Sequence, residues 1–429
     1  MRTITKPCRK IAIAAALALA LLPGLLSPCY ADNTVWELDQ VVRIALARHP
    51  LVGQADAEIQ AAGARKGQAE SAYYPTIGLS TGYSRSRSFS ALAHRSLTIS
   101  SGFLQGSLSQ TISDFGRTSA AVERAGALLS STRETGRSVR EDVAFAAKVG
   151  YYNVLRAQRI LGVERETVKQ RESLLRQAQA YYETGIRARI DVARAEANLF
   201  QARAELTGAE NDLRVARITL LNRMGVDGPR DFELRDTLAA ETLPGGLDEW
   251  VKEAEKNRPE PQALLEKERA ADLNLRAARA GYTPILSGVG GYGYASEDLP
   301  LEQNYNVSVL LSVPVFSGFL TRQQVTEAQA QLSSARYAVT DFRRLVFLQV
   351  EQSALSLRAS SERIDARRKE REASDENLRL ATGRYQVGAG DIIEMIDAQV
   401  QMARSDTDMI DALYDHSVSV ATLLRAMGR

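Results

Sequence analysis

Tyr305-Asn-Val-Ser-Val-Leu-Leu-Ser-Val-Pro-Val-Phe316 sets apolar side chains at its odd positions against Asn306, Ser308 and Ser312 at even ones. A period of two places Tyr305, Val307, Val309, Leu311, Val313 and Val315 on one face of an extended strand. Leu310 and Pro314 blur the polar face. The pattern predicts strands over 305–316 and 285–295. An earlier pair, 76–85 and 97–113, carries Gly, Ser, Thr and aromatic residues in looser alternation. All four reach the roughly ten residues that a tilted strand needs to cross a bilayer, 97–113 with several to spare. Polar loops are expected between them, near 86–96 and 296–304. Four strands in lipid leave two open edges, whose unpaired backbone groups cost several kcal/mol each. Only closure removes edges, so several copies must pool their strands.

The strand pairs belong to an internal duplication. Ala45-Leu-Ala-Arg-His-Pro50 recurs as Ala254-Glu-Lys-Asn-Arg-Pro259, and Tyr74-Pro75 recurs as Thr283-Pro284. Phe115-Gly-Arg117 has its counterpart in Phe316-Ser-Gly318. Tyr182-Glu-Thr-Gly185 returns as Tyr385-Gln-Val-Gly388, and Leu220–Gly225 as Leu423–Gly428. Matches in one order at nearly constant offset define two copies, 32–228 and 247–429, joined by a linker at 229–246.

Each copy opens with a helical segment, 36–72 or 247–281, and continues after its strands with a helical period. Ser119, Val122, Ala125, Leu129, Thr132, Gly136, Val139, Val143, Ala146 and Gly150 follow three-four spacing. Val325, Ala328, Leu332, Ala335, Val339, Phe342 and Val346 do the same. These are heptad seams rich in small residues, which let helices pack side by side into a wall. Neither 117–183 nor 319–386 contains proline, so each is expected to be one helix of about 100 Å. Gly185 and Gly388 allow a reversal, and second helices return over 190–225 and 391–427.

Residues 1–31 read as a secretory signal peptide. Arg2, Lys6, Arg9 and Lys10 precede an apolar run from Ile11 to Leu22, and Cys29-Tyr30-Ala31 supplies small residues at the −3 and −1 positions. Cys29 as a lipidated residue fits poorly after Pro28. Cleavage removes both cysteines, excluding disulfides and thiol chemistry in the mature chain. It leaves 50 basic against 52 acidic residues, a balance that argues against nucleic acid. No mature segment holds eighteen consecutive apolar residues, which excludes membrane-spanning helices but not a β-barrel.

Here the chain resembles the TolC-like outer-membrane efflux and secretion channel family along nearly its whole mature length. Its most recognisable stretch is Tyr385-Gln-Val-Gly-Ala-Gly-Asp-Ile-Ile-Glu394-Met-Ile-Asp397-Ala-Gln399. The resemblance implies an α+β membrane protein built from a duplicated helix–strand–strand–long helical hairpin unit. Its trimer would form a twelve-stranded barrel in the outer membrane of a Gram-negative bacterium, continuous with a periplasmic α-helical coiled-coil tunnel. It further implies docking to a periplasmic adaptor and an inner-membrane RND or ABC transporter, with contact to outer-membrane lipid. The exported cargo, small molecule or polypeptide, stays open. A periplasmic coiled-coil scaffold, soluble or lipid-anchored, would explain the long helices but neither the leader nor the strands.

Carried over by position, the resemblance makes Glu394 and Asp397 a pore-constricting acidic ring. Asp191 and Tyr385 would form an entrance latch, and Thr184-Gly185-Ile186 and Val387-Gly388-Ala389 the tips that meet the adaptor. The family's latch arginine would fall at Gly390, so Arg187 or Arg189 is its candidate substitute. Without the family, two acids near a helix N-terminus need only favour the macrodipole. No catalytic, metal or cofactor constellation is expected. His49, His94 and His416 occupy unrelated places, and no phosphate-cradling loop or HExxH is present. Gly288, Gly290, Gly291 and Gly293 lie within a strand, where they point to close backbone contact or bends.

Overall fold

A computed structural model describes residues 35–90, 94–228, 231–240, 243–296 and 300–429; the leader, Cys29 included, lies outside these residues. The first copy runs α1 (Leu38–Arg48), α2 (Pro50–Glu70), β1 (Thr76–Ser90), β2 (Arg95–Ser113), α3 (Arg117–Glu183) and α4 (Arg189–Met224). The second repeats it as α5 (Leu247–Asn257), α6 (Pro259–Arg279), β3 (Ile285–Ser296), β4 (Glu302–Ser312), α7 (Leu320–Gln386) and α8 (Ile392–Met427).

The opening helical segments differ from expectation. Each is two helices rather than one, broken where His49 and Arg258 are extended, at ψ of 128° and 132°. The following prolines disfavour helical geometry at the residue before them and sit well as the first residue of the next helix. The strand limits also differ. Residues 86–90 and 95–96, expected as loop, continue the β1–β2 pairing from Ser86 opposite Ile99 to Ser90 opposite Arg95. Pairing of β4 ends at Ser312, just before Pro314, which has no N–H to give a ladder.

Heptad spacing survives in α7, where Ala328, Leu332, Val339 and Val346 are buried. In α3, Leu129, Gly136, Val143 and Gly150 are buried, but so are Ala120, Ala127 and Ser131 on a second stripe. The cause is position: α3 packs against α2 and α6 as well as α4. Small residues set that closeness, since a Cβ at Gly136 would stand 2.9 Å from Ile59 Cδ1. α3 also lies along α8, so the long hairpins α3–α4 and α7–α8 join into one wall. Each α3 and α7 has 67 residues, about 100 Å at 1.5 Å per residue.

Two packing features lie mid-length in that wall. Phe232, Leu234 and Leu238 are buried against α3, and Trp36 stacks on Phe232 at 4.7 Å. Residues 231–240, read as part of the linker, thus pack on the first copy. The other feature centres on Arg425 of α8, which reaches Glu141 at 3.0 Å, Asp142 at 2.8 Å and Glu260 at 2.6 Å. Arg258 also hydrogen-bonds Glu260, at 3.3 Å. This network ties α3, α6 and α8 together.

Candidate functional site

The four strands form one antiparallel sheet in the order β1-β2-β3-β4, with β2–β3 joining the two copies. Register decides what each face shows, because directly opposed residues share a face. Ile77 opposes Leu108, Leu108 opposes Gly290, and Gly290 opposes Val307. The same parity adds Leu79, Tyr83, Leu104, Tyr292, Tyr294, Tyr305, Val309 and Leu311. The other face carries Ser80, Ser84, Gln105, Ser107, Asn306 and Ser308, interrupted by Phe103, Val289 and Leu310. Among the described residues nothing covers the apolar face: Val307 is 85% exposed and Ile77 79%. So large an exposed apolar surface marks contact with another apolar phase or partner.

Exposed aromatic residues flank the sheet at both ends. Tyr74, Phe115, Tyr282, Phe316 and Phe319 are exposed at the end nearest the helices. Tyr83, Tyr294 and Tyr305 mark the other end, and their line is slanted. Relative to the register through Tyr83, Tyr294 lies two residues lower across two strands, and Tyr305 four residues lower across three. With about 3.3 Å per residue and 4.8 Å between strands, that slope corresponds to a strand tilt of about 35–43°, within the range of membrane barrels. From Tyr74 to Tyr83 the same tilt spans about 23 Å, close to the roughly 25 Å apolar band of such barrels.

Among the described residues β1 and β4 each pair on one side only. Within the sheet, glycine allows close approach: a Cβ on Gly293 would collide with the Leu104 carbonyl oxygen. Gly291 is similarly tight, whereas Gly290 has nothing within 4 Å.

At the opposite end of the wall, both hairpins reverse through glycine in the left-handed region, Gly185 at φ 77° and Gly388 at φ 79°. Ile186 and Val387 project there, 64% and 79% exposed. Tyr385, by contrast, is 1% exposed and packs with Leu174, Ala178, Ala195 and Ile392. Its ring lies 5.9 Å from that of Tyr181. Its hydroxyl has no hydrogen-bond partner among the described residues. Burial first, then the nearby Asp191 charge, pushes its phenol above the usual range, opposed by Arg187. Arg187 bridges the tips, donating to Gly390 O at 2.6 Å and standing 5.5 Å over the Tyr385 ring. That bridge reaches Gly390, where the family resemblance would place an arginine.

Glu394 and Asp397 are both exposed, three positions apart on α8, hence on one side of the helix. Asp391, not Glu394, caps the helix, its Oδ1 accepting from the Glu394 N–H at 2.8 Å. Glu394 pairs with Arg384 at 3.1 Å, a contact that sequence spacing alone does not suggest. Asp397 has no side-chain hydrogen bond or ion pair among the described residues. A carboxylate without a partner on an exposed helix face is available to an ion or another chain.

The chain is similar to known proteins along most of its length. "Protein CyaE" of Bordetella pertussis is 26% identical over 393 residues, 90% of this chain and 81% of that protein. "Outer membrane protein TolC" of Escherichia coli is 25% identical over 429 residues, 95% of this chain and 84% of that one. Among solved structures, a membrane protein from Pseudomonas aeruginosa superposes with a TM-score of 0.82 at 24% identity, covering 91% of this chain and 93% of its own. That likeness speaks to the fold. The family model for outer membrane efflux proteins matches residues 41–226 and 250–429. The gap between those segments falls where one copy passes into the next, and most of the chain lies within them: it belongs to the outer membrane efflux protein family.

Proposed function

We propose that three copies close their sheets into one twelve-stranded barrel, continuous with a tunnel walled by α3, α4, α7 and α8. This trimer serves as the passive exit duct of a tripartite efflux or type I secretion system. A periplasmic adaptor meets Thr184-Gly185-Ile186 and Val387-Gly388-Ala389, and an inner-membrane RND or ABC transporter supplies the energy. The observation that carries this reading is a tilted sheet with one bare apolar face and two single-sided edges. Lipid covers the face, and only neighbouring copies can satisfy the edges. Light scattering of the purified mature protein, corrected for detergent, should give a trimer with no stable folded monomer. A well-folded monomer would sink the barrel.

In this duct Asp191, Tyr385 and Arg187 hold the tip closed. A charge-assisted bond such as Arg187 to Gly390 contributes about 1.5–3 kcal/mol, so its loss shifts a closed–open balance roughly tenfold to a hundredfold. Arg187→Ala should therefore raise single-channel conductance in planar bilayers at unchanged trimer yield, and Asp191→Ala should raise it less. Tyr385→Phe removes a hydroxyl without a partner, and its effect should be the smallest. Conductance that ignores Arg187→Ala places the closing contact elsewhere.

A further inference from the structure

We propose that Arg85 and Arg87 form a binding site for a phosphorylated lipid headgroup, at the end of the barrel away from the tunnel. The site rests on the barrel reading above. β1 and β2 run on past the last pair with β3, Gly102 opposite Ser296, as a two-stranded ribbon of residues 84–90 and 95–101. Parity carries the apolar row of β1 through that ribbon, so Ile77, Leu79 and Tyr83 are followed on the same face by Arg85 and Arg87. Ser100 stands opposite Arg85 and Thr98 opposite Arg87, adding hydroxyl donors beside each guanidinium. At a tilt of about 40°, Arg85 lies about 5 Å and Arg87 about 10 Å beyond Tyr83. With the tyrosine girdle at the interface, that is headgroup depth.

Among the described residues the charges there are uncompensated. Both arginines are exposed, and neither makes an ion pair or side-chain hydrogen bond among the described residues. Residues 76–113 contain no Asp or Glu. Glu302 is the only carboxylate in the described strands, and its pairing with Ala295 puts it on the opposite face. The two Cα atoms are about 7 Å apart, so two guanidinium forks can grip one phosphate or two adjacent ones, each bidentately. Acyl chains of the same molecule would run down over Tyr83 and Leu79. That continuity between a cationic pair and an exposed apolar row selects a lipid over a free anion.

The test uses the full mature trimer in detergent, mixed with diphosphoryl lipid A or with phosphatidylcholine, and native mass spectrometry to count bound lipid. Wild type should retain lipid A in preference to phosphatidylcholine. Arg85→Gln with Arg87→Gln should weaken retention at least tenfold, and Arg85→Lys with Arg87→Lys should fall between, because an ammonium lacks the fork. Millimolar inorganic phosphate should not displace the lipid. Equal retention by wild type and the glutamine variant, no preference by wild type, or full displacement by phosphate each overturns the proposal. Should the glutamine variant fail to assemble, the lysine variant carries the comparison, and retention equal to wild type counts against the site. Light scattering on the same samples separates the two readings: a wild-type monomer removes the barrel, whereas a trimer that ignores lipid A removes only this site.

Discussion

Changing Glu394 and Asp397 together to Ala should abolish block of the channel by a trivalent cation added on the periplasmic side, and lower its preference for cations. On the pore-lining reading that the family resemblance implies, three copies would bring six carboxylates around one axis. A trivalent ion about 6 Å from a carboxylate gains about 2 kcal/mol from each even at the dielectric of water. Loss of several such terms weakens binding more than a hundredfold. Asp391 already caps α8, so the double change leaves the cap in place and trimer yield should hold. The two acids should not contribute equally. Arg384 partly neutralises Glu394, whereas Asp397 has no partner among the described residues. Asp397→Ala alone should therefore cost more block than Glu394→Ala, and Arg384→Ala should strengthen it. Bilayer recordings with the ion on each side in turn decide the matter. Block that survives the double substitution removes these residues from the pore.

Glu260→Gln should produce the largest loss of stability from a single polar change. Burial alone would raise this carboxyl, but hydrogen bonds from Arg258 and Arg425 outweigh it and hold its pKa down at about 2. A pKa lowered in the folded state stabilises the fold above the unfolded value of about 4.5, and that contribution fades as pH falls from there through about 2. The difference corresponds to about 3 kcal/mol at pH 7. The glutamine variant also leaves Arg258, itself 5% exposed, beside a neutral group. Arg425 retains Glu141 and Asp142, which limits the loss. Thermal unfolding followed by circular dichroism should show the variant melting below wild type at pH 7. The gap should close as pH is lowered from 4.5 toward 2. A gap that stays constant over this range would show that the charge on Glu260 is not its source.

What the sequence by itself determined is whatever repeats within one element or between the copies. The period of two in 305–316 marks a strand with an apolar face, and seven-residue spacing through Val339 and Val346 marks a long helix seam, because side-chain direction follows from local backbone geometry. Gly185 and Gly388 announce the hairpin reversals for the same reason, since both take up a left-handed φ. Matching segments at nearly constant offset reveal the duplication without any contact being known. The tip residues Glu394, Asp397, Tyr385 and Asp191 came from the family resemblance and not from spacing.

Only the tertiary structure decided which elements meet. The second buried stripe of α3 exists because α2 and α6 close on it, which no period internal to α3 can reveal. Phe232, Leu234 and Leu238 looked like linker because three apolar residues in a short extended stretch carry no periodic signal, yet they are buried against α3. Arg425 stands where the first copy has Asn222 and joins carboxylates 165 to 284 positions away; Arg187 meets Gly390 across 203. The registers between neighbouring strands turned four separate alternations into one apolar face, and the β1–β2 pairing beyond β3 extended its row to Arg85 and Arg87. Each of these depends on long-range pairing, and the free energy of a contact depends on the partner that arrives, whereas the sequence at either end records only its own side chain.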